Sequence, residues 1–199
     1  MDKPWLYENE CFADGYERVC GIDEAGRGPL AGPVCAAAVV LPRGLEIPGL
    51  DDSKKLSAKK REELYGVILR EAEAYGIAMA DEREIDEINI LNAALLAMNR
   101  AFEQLDPKPD YALVDGNRSL GLTFPCRCIV GGDGKSASIA AASVLAKVTR
   151  DRYMEELDRR FPQYGFARHK GYGTKMHYER LREFGPSPVH RITFLKKMH

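Results

Sequence analysis

The segment that most constrains the fold of this 199-residue chain is a glycine- and proline-rich loop between two short apolar runs. The runs, residues 18–22 and 34–41, contain valine and have the length of strands, so we expect a β-hairpin. Two adjacent acids, Asp23 and Glu24, follow the first run. Because successive side chains of a regular strand point to opposite faces, both acids could face one ion only where the strand ends or bends. The sequence therefore predicts that the first strand, over residues 18–22, ends or bends at the acid pair.

The acids and the residues after them have the chemistry of a metal and phosphate site. Adjacent carboxylates repel each other unless a cation neutralises them, and Mg²⁺ or Mn²⁺ prefers such oxygen ligands. Arg27 could hold a phosphate with its guanidinium, while Gly26 and Gly28 would let the main chain approach a ligand closely. A surface turn with solvated acids is the alternative, which the apolar flanks and the glycine-arginine-glycine sequence disfavour.

Length and composition limit the class of protein. A chain of this size with 45% hydrophobic residues can bury one core, so we expect a single domain with a small appended part. No apolar run is long enough to cross a bilayer, and the first residues lack the pattern of a secretion signal, which predicts a cytoplasmic protein without a membrane partner. The five cysteines have no Cys-x-x-Cys spacing, so reduced thiols are expected rather than a zinc site.

The net charge of −1 hides a separation of charge along the chain. Residues 168–199 hold eight Lys and Arg against two acids, whereas residues 81–110 hold eight acids against three Lys and Arg. A basic C-terminal face could bind phosphates despite the overall charge. A solvated basic helix is the alternative.

Strands and helices are expected to alternate along the rest of the chain. Apolar runs at 75–80, 111–114 and 127–130 predict strands. Residues 57–74, 85–105 and 136–161 have the composition or periodicity of helices, and a short helix is expected at 175–184. This order is typical of a mixed α/β domain.

Two further acids follow strands as the first pair does. Asp115 comes directly after the run at 111–114, and Asp133 follows the run at 127–130. Because strand ends share one edge of an open α/β sheet, these acids should converge there with Asp23 and Glu24. Such a cluster permits phosphodiester hydrolysis with two divalent cations. Ordinary Asp-Gly turns remain the alternative for Asp115 and Asp133.

Other charged residues are interpreted as lying outside the site. Asp151 is too far along the helix at 136–161 to join Asp133, so Arg150, Asp151 and Arg152 are interpreted as a solvated or ion-paired helix surface. The histidines have no zinc-binding spacing, and phosphate contact or a surface position is expected for them. They are His169, His177, His190 and His199.

The segment from Asp23 to Val34 resembles the signature of the bacterial ribonucleases HII, the type 2 ribonucleases H. Five further stretches match that family in the same order, at residues 52–56, 84–90, 114–118, 141–151 and 161–173. The resemblance implies a ribonuclease H-like α/β fold, a five-stranded mixed sheet flanked by helices, with a small C-terminal helical part. Residues 1–162 would form the catalytic domain, and 163–199 a basic substrate-binding extension packed on it as one structural unit.

The resemblance also implies an activity. The enzyme would hydrolyse the RNA strand of RNA–DNA hybrids and cut 5′ of ribonucleotides embedded in duplex DNA, leaving 3′-hydroxyl and 5′-phosphate ends. In the cell this would remove misincorporated ribonucleotides and RNA primers. Asp23, Glu24, Asp115 and Asp133 would be the catalytic, metal-binding acids, with two Mn²⁺ or Mg²⁺ ions when substrate is bound. We expect a monomer, and the sequence leaves contact with a replication clamp open.

Substrate contacts follow from the same resemblance. Gly26, Arg27 and Gly28 would contact the 2′-hydroxyl, the group that distinguishes RNA from DNA at one position, and neighbouring phosphates. Tyr172 would pack on the sugar after the ribonucleotide, although an ordinary half-buried aromatic is the alternative. The candidate phosphate contacts are Lys54, Lys55, His169 and Lys170.

One stretch departs from the family pattern. Family members often carry Lys-Gly-Asp-Ser at the fourth acid, whereas this chain has Gly131-Gly132-Asp133-Gly134 and then Lys135, the candidate for the missing charge. Two rival functions remain: a nuclease of the same broad fold without the 2′-hydroxyl contact, such as a junction resolvase, and a noncatalytic nucleic-acid-binding module. A nucleotide-binding phosphate loop is disfavoured because no Gly-Lys-Ser/Thr follows the glycines.

Overall fold

A five-stranded mixed sheet lies at the centre of the computed structural model, which describes residues 5–119 and 121–196. The strands are β1 (Val19–Ala25), β2 (Val34–Val40), β3 (Ala74–Ala80), β4 (Tyr111–Asp115) and β5 (Cys126–Ile129). Their order in the sheet is β3-β2-β1-β4-β5. β1 is antiparallel to β2, which confirms the predicted hairpin, and parallel to β4.

Helices precede, connect and follow the strands. They are α1 (Leu6–Ala13), α2 (Ala58–Glu71), α3 (Glu82–Glu103), α4 (Ala137–Arg160), α5 (Phe166–His169), α6 (Lys175–Phe184) and α7 (Ile192–Leu195). α2, α3, α4 and α6 confirm the predicted helices. α1 was not predicted because it buries only Glu8 and Cys11, so its sequence has no apolar stripe. No helix among the described residues is long and apolar enough to span a membrane.

Both faces of the sheet are covered, as the side chains of β2 show. All seven residues of β2 are buried. Ala36 and Ala38 belong to the core formed with α3, whereas Ala37 and Val39 belong to the core formed with α2 and α4. This is the period-2 alternation of a strand with apolar layers on both sides.

Helix α4 lies unusually close to β1 because small residues meet at their contact. A Cβ added to Gly21 would lie 2.1 Å from the carbonyl carbon of Ser138, so only glycine fits there. The first turns of α4 are rich in buried alanine, as Ala141 and Ala142 illustrate. These small residues allow the close approach, which brings Ser143 on the next turn of α4 beside Asp23.

The first strand does not end at the acid pair, which corrects the predicted bounds of residues 18–22. β1 continues to Ala25, and Asp23 and Glu24 are paired in register with Ala37 and Ala36 of β2. The ladder with β2 continues past the acids, so the main chain stays extended and their side chains alternate.

The C-terminal segment (residues 163–196) packs against the loop that joins β1 to β2, here called the glycine loop (residues 26–33). The amide of Leu30 donates to the carbonyl of Gly171, and the amide of Arg191 donates to the carbonyl of Leu30, each at 2.8 Å. Asp86 on α3 accepts hydrogen bonds from the amides of Ile192 and Thr193 at 2.8 and 2.9 Å. The glycine loop is therefore held between the sheet edge and the C-terminal segment.

Candidate active site

Three carboxylates converge at one edge of the sheet. Asp23, Asp115 and Asp133 each offer an oxygen atom, and these atoms lie within 4.8 Å of one another. β1 and β4 are parallel neighbours, so their carboxyl ends reach the same edge, and Asp133 comes from a short 3₁₀ turn after β5. We call these three residues the acid cluster.

Main-chain donors fix two members of the acid cluster. The amide of Gly132 donates to Oδ1 of Asp115, and the amide of Glu24 donates to Oδ1 of Asp23, both at 2.7 Å. A Cβ at Gly132 would lie 2.6 Å from Cδ1 of Ile139. This glycine therefore allows the turn that carries Asp133 to pack closely beside Asp115.

The protein alone leaves the negative charge of the cluster poorly compensated. Burial raises the pKa of Asp23 well above its usual value, and repulsion from Glu24 and Asp115 raises it further. Burial is also the largest cause of the raised pKa of Asp133, followed by repulsion from Asp115. Oxygen-only donors that repel each other are suited to a hard divalent cation, so the residues fit Mg²⁺ or Mn²⁺.

Glu24, the fourth predicted acid, lies beside the cluster rather than in it, because strand alternation turns it away from its neighbour Asp23. Nη1 of Arg27 donates to its Oε1 at 3.2 Å. Burial raises the pKa of Glu24, and the charge of Arg27 opposes that shift. Glu24 nevertheless lines the same cleft as Asp23 and a second, smaller cavity with Asp115.

The positive charge next to Asp133 comes from Lys54, not from Lys135. Nζ of Lys54 lies 3.7 Å from Oδ2 of Asp133, whereas Nζ of Lys135 donates to the carbonyl of Val130 at 2.6 Å. The hypothesis that Lys135 replaces the missing charge is therefore wrong. Lys55 is exposed and forms an ion pair with Asp51 at 3.1 Å.

The glycine loop and Tyr172 form walls of a cleft of about 330 Å³ that begins at Asp23 and Glu24. Gly28 is open toward this cleft, since an added Cβ would meet only Cε1 of Tyr172, at 3.6 Å. Tyr172 is 45% exposed. The main chain of Gly28 and the ring of Tyr172 therefore face each other in the cleft that contains Asp23 and Glu24.

Gly26 is a glycine for a different reason. Its φ is +97°, and an added Cβ would lie 2.0 Å from Nε of Arg150. Left-handed φ values favour glycine, and here the space is also filled by a side chain. The structure thus separates two glycines that the sequence analysis treated alike: Gly26 accommodates Arg150, and Gly28 leaves the cleft open.

His169 and Lys170 do not reach this cleft. His169 is buried, its Nε2 donates to the carbonyl of Tyr164 at 2.9 Å, and its Nδ1 accepts from the amide of Gly171 at 3.1 Å. Both ring nitrogens are occupied, which corrects the predicted phosphate contact of His169. Nζ of Lys170 is paired with Glu155 at 2.6 Å.

The other described histidines are also buried, which corrects the predicted phosphate contact or surface position. Nδ1 of His190 accepts from the amide of Ser187 at 2.9 Å, so its Nε2–H donates to Nε2 of His177 at 3.0 Å. Nδ1–H of His177 in turn donates to the carbonyl of Tyr172 at 2.9 Å. This histidine chain (His177 and His190) must be neutral, and burial lowers the pKa of both residues to about 4. His199 lies outside the described residues.

Two arginines near the glycine loop are buried although the sequence did not predict it. Arg150, predicted on an ion-paired surface, is buried, while its neighbours Asp151 and Arg152 do form ion pairs at the surface of α4. The missed signal is its spacing, four residues from the buried Ala146 and Met154. Arg191 is also fully buried, and no motif indicated it.

Comparison with known proteins agrees with this geometry. The family model for ribonuclease HII matches residues 20–199. The chain is 56% identical to ribonuclease HII of Geobacter metallireducens over 190 residues, 96% of this chain and 89% of that protein. It is 55% identical to ribonuclease HII of Caldicellulosiruptor bescii over 191 residues, 96% of this chain and 93% of that protein.

Solved structures share the fold. Ribonuclease H2 from Pyrococcus horikoshii matches with a TM-score of 0.73 and 28% identity, over 89% of this chain and 93% of that chain. The ribonuclease HII structure in complex with PCNA from Archaeoglobus fulgidus matches with a TM-score of 0.71 and 27% identity, over 88% and 94% of the two chains. The expected ribonuclease H-like fold with a five-stranded mixed sheet is confirmed. With the family model matching nearly the whole chain, this protein belongs to the ribonuclease HII family of metal-dependent nucleases.

Proposed function

We propose that this ribonuclease H, besides hydrolysing RNA in RNA–DNA hybrids, cuts duplex DNA on the 5′ side of single embedded ribonucleotides. The observation that carries the proposal is the position of the acid cluster beside an open stretch of main chain at Gly28. The acid cluster, which would cut, and the main chain at Gly28, which could contact a ribose, would then serve one substrate. In the cell such cleavage would begin the removal of misincorporated ribonucleotides and RNA primers.

The acid cluster would hold the metal, with Glu24 reaching it from the side when substrate is bound. Two bound Mg²⁺ or Mn²⁺ ions would supply an activated water and stabilise the leaving oxygen. Water would then attack the phosphorus atom and lose a proton, the bond between phosphorus and the 3′-oxygen would break, and that oxygen would take up a proton from solvent, so the products would carry a 3′-hydroxyl and a 5′-phosphate. Lys54, 3.7 Å from Asp133 and largely exposed, would contact a substrate phosphate together with Lys55.

Recognition of the ribonucleotide would fall to the glycine loop and Tyr172. The 2′-hydroxyl can donate and accept hydrogen bonds, so main-chain groups of Arg27 and Gly28 suffice to detect it. The ring of Tyr172 would pack on the next sugar and favour a deoxyribose there, because a second hydroxyl would be crowded against it. Residues 163–199 would thus serve as a substrate-binding extension that supplies Tyr172.

Cleavage of matched duplexes tests this function. We would incubate the protein and Mg²⁺ or Mn²⁺ with a DNA duplex that holds one ribonucleotide, with the same duplex made only of DNA, and with an RNA–DNA hybrid. We expect one cut, 5′ of the single ribonucleotide, and none in the all-DNA duplex. Equal cutting of both DNA duplexes would favour a resolvase-like nuclease, and no cutting of any substrate would favour a noncatalytic binding module.

A further inference from the structure

We propose that Arg191 is a positioning residue that orients the main-chain amides of Arg27 and Gly28 toward the substrate. This inference rests on the proposed function, because those amides are the groups that would contact the 2′-hydroxyl or its neighbouring phosphate. Arg191 itself touches no substrate. It would act through the peptide groups of the glycine loop, although it lies more than 160 positions away in the sequence.

The guanidinium of Arg191 donates to four carbonyl oxygens of the glycine loop. Nη2 donates to Gly26 at 2.6 Å, and Nη1 donates to Arg27 at 3.0 Å and to Pro29 at 2.8 Å. Nε donates to Gly32 at 2.9 Å. The planar fork of an arginine can hold several oxygens at fixed angles, which an ammonium group cannot do.

These bonds decide where the amides point. The carbonyl of one residue and the N–H of the next belong to one peptide plane, and in a trans peptide they point in opposite directions. Both peptides concerned are trans, since the cis bond in the described chain is Asp106–Pro107. With the carbonyls of Gly26 and Arg27 turned inward onto Arg191, the N–H groups of Arg27 and Gly28 must turn outward.

The outward amides are available for a ligand. Within the described residues, neither amide donates to a main-chain or side-chain acceptor, although Leu30 and Gly32 of the same loop both do. Arg27 and Gly28 also line the cleft that contains Asp23. The guanidinium of Arg27 donates to Glu24 through Nη1, so the side chain is drawn toward that acid while the main-chain amide stays without an acceptor among the described residues.

Arg150 also holds the glycine loop through main-chain carbonyls. Its guanidinium donates to the carbonyls of Pro33 and Ala31 at 2.9 and 3.2 Å, and to Lys170 at 3.0 Å. All its hydrogen-bond partners, like those of Arg191, are carbonyl oxygens. Burial lowers the pKa of Arg191, and repulsion from Arg150 lowers it further. Burying these two guanidinium charges costs desolvation free energy that apolar side chains would not cost. In return, the two arginines fix the orientation of the glycine loop.

The test compares affinities for two duplexes that differ by one hydroxyl. Asp115→Asn serves as the parent, so that bound duplex is not cut, and each variant is added to it. We expect the parent to bind the single-ribonucleotide duplex more tightly than the all-DNA duplex. In Arg191→Lys this preference should fall about tenfold, the effect of losing one or two well-placed hydrogen bonds, while affinity for the all-DNA duplex changes less than about twofold. A purely structural defect would weaken both complexes alike.

Arg152→Lys is the matched control, because Arg152 is an exposed arginine on α4 paired with Glu62. It should leave both affinities unchanged. If Arg191→Lys does not fold by circular dichroism, Asp86→Ala replaces it, since Asp86 anchors the amides of Ile192 and Thr193 next to Arg191. We expect about a threefold loss of preference from that milder change.

Two results would overturn the proposal, and they are distinguishable. An unchanged preference in a folded Arg191→Lys or Asp86→Ala protein would contradict the role of Arg191 and leave the proposed function intact. A parent that shows no preference for the ribonucleotide would contradict 2′-hydroxyl recognition itself, and the role of Arg191 with it.

Discussion

The acid cluster and the arginine pair (Arg150 and Arg191) both hold buried charge in the candidate active site, but their partners differ. Asp23 and Asp133 face other carboxylates, and burial with repulsion raises their pKa values. Arg150 and Arg191 face main-chain carbonyl oxygens that the fold itself supplies. The acid cluster is therefore complete only when a cation binds, whereas the arginine pair is satisfied before any ligand arrives. The first region is suited to chemistry and the second to holding a shape.

The largest effect is expected from a substitution that alters the acid cluster and leaves the arginine pair unchanged. Asp115→Asn keeps the size of the side chain but removes a metal-binding charge, so cleavage of the single-ribonucleotide duplex should fall by at least about a thousandfold, equivalent to roughly 4 kcal/mol of barrier. Affinity for the duplex should change little, because the glycine loop is untouched. Initial rates and a fluorescence-anisotropy titration measure the two quantities. Retained cleavage would remove Asp115 from the proposed mechanism.

The histidine chain predicts acid sensitivity of the C-terminal region. Burial lowers the pKa of His177 to about 4, below its unfolded value of about 6.5. A lowered pKa contributes stability that is complete above pH 6.5 and is lost as the pH falls toward 4. We expect this residue to contribute about 3 kcal/mol at pH 7 that is absent at pH 4. Urea unfolding at the two pH values measures the loss.

His177→Gln is the comparison for that experiment, because glutamine can still donate to the carbonyl of Tyr172 but does not titrate. The variant should be less stable than the native chain at pH 7 and should show a shallower dependence on pH. Parallel pH dependences in the two proteins would contradict a neutral buried His177.

The smallest expected effects distinguish Gly26 from Gly28 in the glycine loop. Gly26→Ala should destabilise the protein by about 2 kcal/mol, because φ is +97° and the Cβ would overlap Arg150. Gly28→Ala should change stability by less than about 0.5 kcal/mol, since its Cβ has room beside Tyr172, yet it should slow cleavage by narrowing the cleft. Thermal unfolding and cleavage rates test both. Equal loss of stability in the two variants would show that the glycines are not divided in this way.

Most of the fold was predictable from the sequence because it depends on local patterns. Short apolar runs predicted the strands, and periodicity or composition predicted α2, α3 and α4. α1 was not predictable, since its burial of Glu8 and Cys11 gives no periodic signal. The end of β1 was predicted wrongly because the pairing of Asp23 and Glu24 with β2 decides how far that strand extends.

Part of the candidate active site was also predictable from local patterns in the sequence. Asp23, Asp115 and Asp133 follow strand-like runs, and parallel strand ends meet at one edge, so their convergence could be inferred. The positively charged partner of Asp133 could not be inferred, because only the packed structure brings Lys54 to Asp133 and turns Lys135 away.

The sequence by itself determined the strands, the main helices and the acids that end near one edge of the sheet, since these follow from periodicity and spacing along the chain. The tertiary structure alone decided the arrangement behind the glycine loop. Arg191 and three histidines, His169, His177 and His190, resemble surface residues in the sequence, and they become buried because the C-terminal segment packs over residues 26–33. A polar side chain acquires such a role only when distant main-chain groups come within hydrogen-bond distance, and no local pattern records that.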